Sequence, residues 1–239
     1  MKISLLYIRI LERVQPELPV FFSYQIAENR FLNSYKHFKP KIPHKLVVVN
    51  CATKPINADW DSCVSEYTTY CGLGSDCGTF QAVGSQLDCD LVICFNTIAY
   101  LWAHNWIDPF IAAAEKYGAG VYGPTASFES FPHLRTPCIS FNPKIIGEYP
   151  MKVDTREKAA LFEHGVSNFS LWAEYAGYPV RMVTPMGSFT RKMWRTPDNI
   201  FRRGTQSNCV VWDRHTDLYF SASNADKVNL ERSADGKNR

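Results

Sequence analysis

The sequence predicts an α/β fold in which a mixed, mostly parallel sheet carries helices on both faces. Short, uninterrupted apolar runs recur along the chain, and segments with helical periodicity lie between them. Such runs are typical of strands that are buried on both faces of a parallel sheet. The chain has 239 residues, 46% hydrophobic and 21% charged, which suits one globular domain. We therefore expect a single domain over residues 1–239, with a polar tail from about residue 228.

The candidate strands are apolar runs, and each run is followed by residues with small or polar side chains. They are residues 46–49, 91–95, 119–122, 138–141 and 180–183. In open α/β sheets, ligands bind outside the carboxyl ends of the strands. The positions at which a ligand is expected are therefore 50–53, 96–98, 123–125 and Asn142.

Two segments have helix signals at their ends. Residues 108–117 begin with an Asp-Pro pair and are followed by Gly118, as expected of a capped helix. Between residues 162 and 176, apolar residues recur at spacings of three and four, and Gly177 ends the pattern. The start of this helix stays open, because Asp154 followed by Glu157 resembles a capping box, whereas Ser167 could cap a later start. Residues 23–38 show a weaker helical pattern. Together these segments supply helices between the strands.

The C-terminal third has a different pattern. Residues 209–212 and 218–220 are apolar, and the polar residues 213–217 separate them. This arrangement predicts a C-terminal β-hairpin with a five-residue loop. The residues after Lys227 are polar, and we expect this tail to fray.

The charge pattern argues against a nucleic-acid partner. The formal net charge is +3, and no long run of like charges is present. The aromatic residues are not interleaved with basic ones as they are in nucleic-acid-binding segments. We therefore expect no nucleic-acid partner.

The sequence also predicts a cytoplasmic protein. No segment approaches the roughly 20 consecutive apolar residues that cross a bilayer. The apolar stretch at the N-terminus is short and contains Arg9, unlike a signal peptide. The eight cysteines include no C-x-x-C pair, and several lie in apolar runs, as Cys94 does. We expect them to be reduced, buried side chains and not zinc ligands.

A glycine-rich segment contains the first candidate binding residue. Residues 72–78 include three glycines and Asp76. Glycines allow the backbone to approach a ligand closely, and the Asp76 carboxylate can accept hydrogen bonds from a base or a ribose. The segment matches neither the G-x-G-x-x-G fingerprint nor a phosphate-binding P-loop. A simple tight turn is the alternative interpretation.

Glu163 and His164 form a second candidate, placed where we expect the helix of residues 162–176 to begin. A carboxylate near a helix N-terminus interacts favourably with the helix dipole, so one interpretation is a capping role. The other is a general base that removes a proton from an acceptor hydroxyl. His164 would then orient or tune the base, or remain a surface histidine.

The densest basic stretch forms a third candidate. It consists of Arg191, Lys192, Arg195, Arg202 and Arg203. These side chains either form a solvent-exposed face or contact a diphosphate. The polar residues 204–208 that follow suit sugar hydroxyls or phosphates, with an ordinary polar loop as the alternative.

In the order of these segments, residues 45–222 resemble the GT-A glycosyltransferases. The resemblance is to the inverting group that includes rhamnosyltransferases and the rhamnan-synthesis F type. Asn50 ends a strand similar to the family's second strand, where an acidic residue usually contacts the nucleoside. Residues 74–80 are similar to the family's G-x-D-x-G-x-F stretch, and Asp76 would bind the nucleoside there.

Two further segments continue the resemblance. Residues 90–98 are similar to the strand that ends in the family's Asp-x-Asp metal motif, but Asn96 and Ile98 replace the carboxylates. Residues 162–165 look like the family's Glu-Asp helix, whose second position commonly supplies the base. His164 holds that position here. We favour Glu163, because the base in such a displacement is usually a carboxylate.

The resemblance implies a Rossmann-like GT-A fold and an inverting transfer of sugar from a UDP-, GDP- or dTDP-sugar to a glycan or other hydroxyl acceptor. The donor would be held by Asn50, Asp76, Asn96 and Thr97. Basic side chains, Arg191, Lys192 or Arg202, would stabilise the departing diphosphate. A divalent cation prefers anionic oxygen ligands, so the sequence names no metal ligand and leaves Mn²⁺ or Mg²⁺ dependence open.

Two alternatives from other classes stay open at this point. The domain could be a catalytically silent module that binds a nucleotide or sugar. A nucleotidyltransferase would need a metal-binding carboxylate pair and a Gly-rich N-terminal loop, and residues 1–20 contain no glycine. Release of free nucleoside diphosphate from a donor would favour the transferase over the silent module.

Overall fold

The computed structural model describes residues 1–9, 24–51, 58–70, 72, 74–195 and 201–237. The strands within these ranges are β1 (Ile3–Arg9), β2 (Lys45–Asn50), β3 (Glu66–Thr69), β4 (Leu91–Phe95), β5 (Tyr100–Leu101), β6 (Val121–Gly123), β7 (Ala126–Ser127), β8 (His133–Leu134), β9 (Cys138–Phe141), β10 (Val180–Thr184), β11 (Gly187–Phe189) and β12 (Val211–Trp212). The helices are α1 (Tyr24–His37), α2 (Ser75–Gly84), α3 (Asp108–Tyr117), α4 (Pro143–Glu148), α5 (Arg156–His164), α6 (Phe169–Tyr175), α7 (Arg214–Ser221) and α8 (Asn224–Ala234). Short 3-10 turns cover Ala58–Trp60 and Arg191–Met193.

A mixed sheet of eight strands forms the centre of the fold, in the order β11-β10-β6-β9-β4-β1-β2-β3. Neighbouring strands are parallel except where β9 and β11 take part, and these two run in the opposite direction. This confirms the predicted α/β class with a mostly parallel sheet. The strands that run in the common direction end at one edge, which we call the carboxyl edge.

Each face of the sheet is covered by its own hydrophobic cluster. Along β1, Leu6 and Ile8 point into one cluster, and Leu5 and Tyr7 point into the other. Helices α2, α4, α5 and α6 contribute to the first cluster, and α1 and α3 contribute to the second. The strands are buried on both faces, which explains why their sequences are continuously apolar.

Two small antiparallel ribbons extend beyond the carboxyl edge. One pairs β5, which follows β4, with β12 near the C-terminus. The other pairs β7 with β8, between β6 and β9. The ribbons therefore place residues 96–101 and 124–136 next to the edge where a ligand is expected.

The predicted C-terminal β-hairpin is wrong. Residues 211–212 pair with β5, and residues 214–221 form helix α7. Asp213 caps this helix by accepting hydrogen bonds from the backbone N–H groups of His215 and Thr216. The polar residues interpreted as a loop are therefore a helix start. The tail expected to fray from about residue 228 is helical as far as Ala234.

The helix expected over residues 162–176 is two helices. Helix α5 starts earlier, at Arg156, with Thr155 as its N-cap, and it ends at His164. Gly165 interrupts the pattern, and a Cβ there would lie 2.6 Å from the carbonyl oxygen of Leu161. Asn168 then caps α6 through its side chain. The spacing of the apolar residues continues across the break because both helices cover the same face of the sheet.

The other segment predictions are confirmed. Residues 46–49, 91–95, 138–141 and 180–183 lie within strands, and 119–122 overlaps β6. Helix α3 covers Asp108–Tyr117 and ends at Gly118, whose φ of 83° suits glycine. Helix α1 occupies most of residues 23–38. Within the described ranges, no helix is both long and apolar enough to cross a membrane.

Candidate active site

The ends of β1, β2 and β4 bring the predicted donor-binding residues together. Arg9 and Asn50 are partners in the β1–β2 register, and Arg9 Nη1 donates a 2.9 Å hydrogen bond to Asn50 Oδ1. Thr97 follows β4, and its Oγ1 donates to the carbonyl oxygen of Ile8 at 2.8 Å. Tyr7 Oη donates to the Thr97 carbonyl at 3.3 Å. Three neighbouring strands therefore converge on one part of the carboxyl edge.

Asp76 joins this group from the first turn of α2. The pKa of the buried Tyr7 hydroxyl is raised well above its ordinary value, first by burial and then by the charges of Glu28 and Asp76. Asp76 is thus close enough to act electrostatically on Tyr7, whose hydroxyl contacts Thr97. Asn50, Asp76, Asn96 and Thr97 therefore all lie at the carboxyl edge, and their role in holding a donor stays a prediction.

A buried ion pair that the sequence did not predict lies beneath this site. Arg9 Nε donates a 2.9 Å hydrogen bond to Glu28 Oε1, and both side chains are almost fully buried. Trp60 Nε1 donates to the same oxygen at 2.8 Å. The other oxygen, Glu28 Oε2, is buried without a hydrogen-bond partner. The available signal was a charged residue, Arg9, at the end of an otherwise apolar strand.

The glycines around Asp76 serve chain packing, which differs from their expected role. A Cβ at Gly74 would lie 1.9 Å from the carbonyl oxygen of Val153, and one at Gly78 would lie 2.4 Å from it. The close approach at these positions is between α2 and another part of the chain, not between the backbone and a ligand. Ser75, the first residue of α2, has a positive φ of 57°. The glycine-rich segment therefore places the first turn of α2, which contains Asp76, at the carboxyl edge.

Glu163 lies in the last turn of α5, so the predicted position at a helix start is wrong. Helix-dipole capping therefore gives no account of its carboxylate. Thr136 Oγ1 donates a 2.5 Å hydrogen bond to Glu163 Oε1. Thr136 lies between β8 and β9 and is buried, whereas Glu163 is half-buried. The protein thus holds one oxygen of a carboxylate that is itself half-buried.

The thiol of Cys77 connects Glu163 to Asp76. Its pKa is raised well above the ordinary value by burial, and next by the negative charges of Glu163 and Asp76. The thiol therefore stays protonated and also contacts Thr136. The predicted base and the predicted nucleoside-binding carboxylate consequently lie on the same side of the sheet edge.

Two histidines lie beside Glu163. His133 is buried, and its Nδ1 is 2.7 Å from the carbonyl oxygen of Phe131. A carbonyl can only accept, so this contact assigns the proton to Nδ1. Burial lowers the pKa of His133. The half-buried ring of His164 lies 6.1 Å from the His133 ring, centroid to centroid, so both residues of the predicted catalytic pair border this region.

Arg202 belongs to a largely buried charged cluster with Arg135 and Asp213, and its Nη1 lies 3.8 Å from Glu129 Oε2. The neighbouring Arg135 forms a 2.8 Å ion pair with Asp213 and stacks its guanidinium 3.5 Å above the Phe201 ring. The pKa of Arg202 is lowered, first by burial and then by Arg135. Within the described ranges, its buried Nε has no hydrogen-bond partner. Arg202 therefore lies near the residues that hold Glu163.

The other two predicted diphosphate residues lie elsewhere. Strand β11 runs antiparallel to β10 and carries the chain away from the carboxyl edge. Arg191 follows it and forms a 2.9 Å ion pair with Glu174 in α6, the helix that precedes β10. Lys192 is exposed. The structure does not bring Arg191 and Lys192 together with Glu163 and Asp76.

Asn142 also lies away from the site. It follows β9, which runs antiparallel to β4, so it occupies the opposite edge and donates from Nδ2 to the Asp90 carbonyl at 2.9 Å. Residues 52 and 53, which follow the β2 strand, lie outside the described residues.

A divalent cation does not fit the residues at the end of β4. Asn96 Oδ1 accepts a 3.2 Å hydrogen bond from the backbone N–H of Ile98, and Ile98 offers no side-chain ligand. In the described part of the chain, no group of three or more His, Cys, Asp or Glu residues could hold a metal ion. A hard cation prefers several anionic oxygens, so no chemical step below depends on one.

Comparison with known proteins gives partial structural likenesses. No protein family and no curated protein matches the chain. Staphylococcus aureus TarS, residues 1–349, shares 13% identity over 68% of this chain and 54% of its own, with a TM-score of 0.46. IspDF from Campylobacter jejuni shares 15% over 75% and 48%, with a TM-score of 0.45. A protein from Desulfovibrio desulfuricans G20, described as a nucleotide-diphospho-sugar transferase, shares 11% over 75% and 79%, with a TM-score of 0.43. The chain spans about half the length of the TarS structure.

Proposed function

We propose that this protein is a GT-A-like glycosyltransferase that moves a sugar from a nucleotide-sugar to an acceptor hydroxyl with inversion. The observation that carries the proposal is the Glu163 carboxylate, held at 2.5 Å by Thr136 beside the edge where Asp76, Asn50 and Thr97 meet. A carboxylate fixed through one oxygen suits a general base, because the other oxygen can receive a proton.

The donor would occupy the ends of β1, β2 and β4. Asp76 offers acceptors for the nucleoside, and the Asn50 amide is oriented by Arg9. Arg9 itself is fixed by the buried Glu28, so Asn50 is presented on a rigid support. Asn96 and Thr97 would complete the donor site at the end of β4. Preorganised polar groups of this kind bind a ligand without a cost of ordering them.

The reaction needs one proton transfer and one displacement. Glu163 Oε2 accepts the proton of the acceptor hydroxyl as the hydroxyl oxygen attacks the anomeric carbon. The bond from that carbon to the diphosphate oxygen breaks, and its electron pair leaves with the nucleoside diphosphate. Attack from the face opposite the leaving group inverts the anomeric centre. His164 borders the base and would orient it.

The departing diphosphate needs positive charge. Of the three predicted basic residues, Arg202 lies beside Arg135, the neighbour of Thr136, and its buried Nε has no hydrogen-bond partner among the described residues. A guanidinium stabilises phosphate oxygens well. We assign this role to Arg202 in preference to Arg191, because Arg191 lies away from Glu163 and pairs with Glu174 at 2.9 Å, whereas the Arg202–Glu129 contact is longer, at 3.8 Å.

The test combines donor binding with turnover. The protein is screened by thermal shift against UDP-, GDP- and dTDP-sugars, with EDTA and with Mn²⁺. A hundredfold excess of donor over its dissociation constant stabilises the folded state by about 2.7 kcal/mol. Released nucleoside diphosphate is then measured with and without acceptor. If no donor raises the melting temperature or is turned over, the proposal fails; if a donor binds without turnover, the silent binding module replaces it.

Glu163→Gln tests the base. We expect transfer to fall by about 100-fold or more while donor binding persists, because the amide keeps the size but accepts no proton. The matched control is Glu157→Gln, an exposed carboxylate in the first turn of the same helix. Transfer by Glu163→Gln at the wild-type rate would rule out this base.

A further inference from the structure

Three aromatic side chains form a partly exposed surface on the β5–β12 ribbon. The rings of Trp102 and Trp212 stack with centroids 4.2 Å apart and planes 21° apart. Phe220 of α7 lies 5.8 Å from the Trp212 ring. Trp212 is buried, whereas Trp102 is 47% exposed and Phe220 is 63% exposed. We call Trp102, Trp212 and Phe220 the aromatic platform.

A polar group adjoins the platform through Tyr100. The Tyr100 ring contacts Trp102 edge-on, with centroids 6.1 Å apart, and its hydroxyl donates to Asp217 Oδ1 at 2.6 Å. Arg30 places its guanidinium 3.6 Å above the Tyr100 ring and pairs with Asp217 at 2.6 Å. Both charged side chains are partly exposed. Asp217 and Phe220 are three residues apart on α7 and therefore share a helix face.

We propose that the aromatic platform binds a sugar ring of a neutral oligosaccharide, the acceptor glycan of the proposed function, on which this inference rests. A pyranose has a flat face of C–H groups and a rim of hydroxyls. The C–H face suits the exposed face of Trp102, since the other face already packs on Trp212. The rim suits Asp217 as an acceptor and Arg30 as a donor.

The charges favour a sugar over a membrane. The positive charge of Arg30 is matched by Asp217, so this surface lacks the excess of Lys and Arg that draws a protein to anionic lipids. A neutral sugar needs donors and acceptors without net charge, and the ion pair supplies both.

The β5–β12 ribbon connects the platform to the candidate active site along the chain. Strand β5 starts at Tyr100, shortly after Asn96 and Thr97 at the end of β4. On the other strand, Asp213 directly follows Trp212 and pairs with Arg135, the neighbour of Thr136. The same ribbon thus carries the platform and borders the residues that hold Glu163. A glycan chain bound at the platform would extend toward the base.

The test measures glycan binding without catalysis. Labelled full-length protein is applied to an immobilised array of defined neutral and charged oligosaccharides, and the strongest soluble oligosaccharide is then titrated calorimetrically. The double variant Trp102→Ala with Phe220→Ala is compared with Tyr175→Ala, which removes an 80% exposed aromatic ring from α6. We expect wild-type binding to neutral sugars, at least tenfold weaker binding by the double variant, and no change in Tyr175→Ala.

Three outcomes would overturn the inference. They are no array binding by the wild type, equal binding by the double variant, or a platform that instead holds vesicles of phosphatidylglycerol and phosphatidylcholine or a second copy of the chain. Vesicle flotation and sedimentation velocity with the same variants identify the last case. If the double variant does not fold, Phe220→Ala alone is used, since this ring is mostly exposed. Glu163→Gln must keep its array binding, so failure of the platform and failure of the proposed catalysis give different results.

Discussion

Thr136 and Glu163 form a 2.5 Å hydrogen bond that joins the segment between β8 and β9 to the last turn of α5. The donor is a buried hydroxyl, and the acceptor is a half-buried carboxylate. A hydroxyl in this position fixes the carboxylate in one orientation before any substrate arrives. Positioning of this kind matters because a small displacement of a catalytic group can cost a large factor in rate.

Thr136→Val should lower kcat by about tenfold and leave the KM for the donor unchanged. Valine keeps the shape of threonine but removes the hydroxyl that orients Glu163. Thr136→Ser keeps the hydroxyl and should retain most of the activity. Steady-state transfer kinetics of both variants provide the measurement. Equal losses in the two variants would show that packing, and not the hydrogen bond, explains the effect.

Gly74→Ala should destabilise the protein by about 1–3 kcal/mol. The added Cβ would lie 1.9 Å from the Val153 carbonyl oxygen, so backbone must move. Gly147→Ala is the control, because a Cβ there meets only Ser85 Cβ at 3.7 Å, and alanine favours a helix by up to about 1 kcal/mol over glycine. The measurement is the free energy of unfolding of both variants, obtained from urea denaturation curves. A Gly74 variant as stable as Gly147→Ala would contradict the packing role of this glycine.

Glu28→Ala should cost about 3 kcal/mol or more of the free energy of unfolding. The change removes the oxygen that accepts from both Arg9 and Trp60, and it leaves a buried guanidinium without its counter-charge. Glu115→Ala, at an exposed position in α3, is the matched control. Chemical denaturation of both variants provides the comparison. A loss no larger than that of the control would mean that the buried pair adds nothing to stability.

His215 should make stability depend on pH between about 6.5 and 4. Burial lowers its pKa from 6.5 to about 4, with a further lowering by Arg135 that Asp213 opposes. Because the folded state favours the neutral ring, this contribution is fully present above pH 6.5 and is lost as the pH falls through about 4. Its size is at most about 3 kcal/mol.

The measurement compares unfolding free energies of the wild type and His215→Gln across this pH range. The variant should lose part of the acid dependence, while His133, whose pKa is also lowered by burial, keeps a dependence of the same sign. The exposed His37→Gln provides the control. If the wild type and His215→Gln had identical pH profiles of stability, His215 would not contribute to the pH dependence.

The central sheet could be predicted because its signals are local. Residues 91–95 form a continuously apolar run that β4 buries on both faces, and the Asp-Pro pair and Gly118 mark both ends of α3. The polar residues at the ends of β2 and β4, Asn50 and Thr97, could be placed near each other because parallel strands end at one edge.

The failed predictions involve contacts between distant parts of the chain. Residues 209–212 form an apolar run that suits a hairpin strand, but the partner of residues 211–212, β5, lies more than a hundred positions earlier. Nothing local distinguishes Asp213 in a loop from Asp213 as a helix cap until Thr216 and Tyr219 are seen to be buried on one face. The contact of Thr136 with Glu163 depends in the same way on tertiary packing.

The β5–β12 pairing has a consequence for the order in which the protein is made. The eight-stranded sheet is complete once β11 has been synthesised, but Trp102 must wait for Trp212 to leave the ribosome before it can stack. Until Trp212 has been synthesised, the Trp102 ring lacks the neighbour that covers one of its faces in the folded protein. The ribbon therefore closes only when nearly the whole described chain has been made.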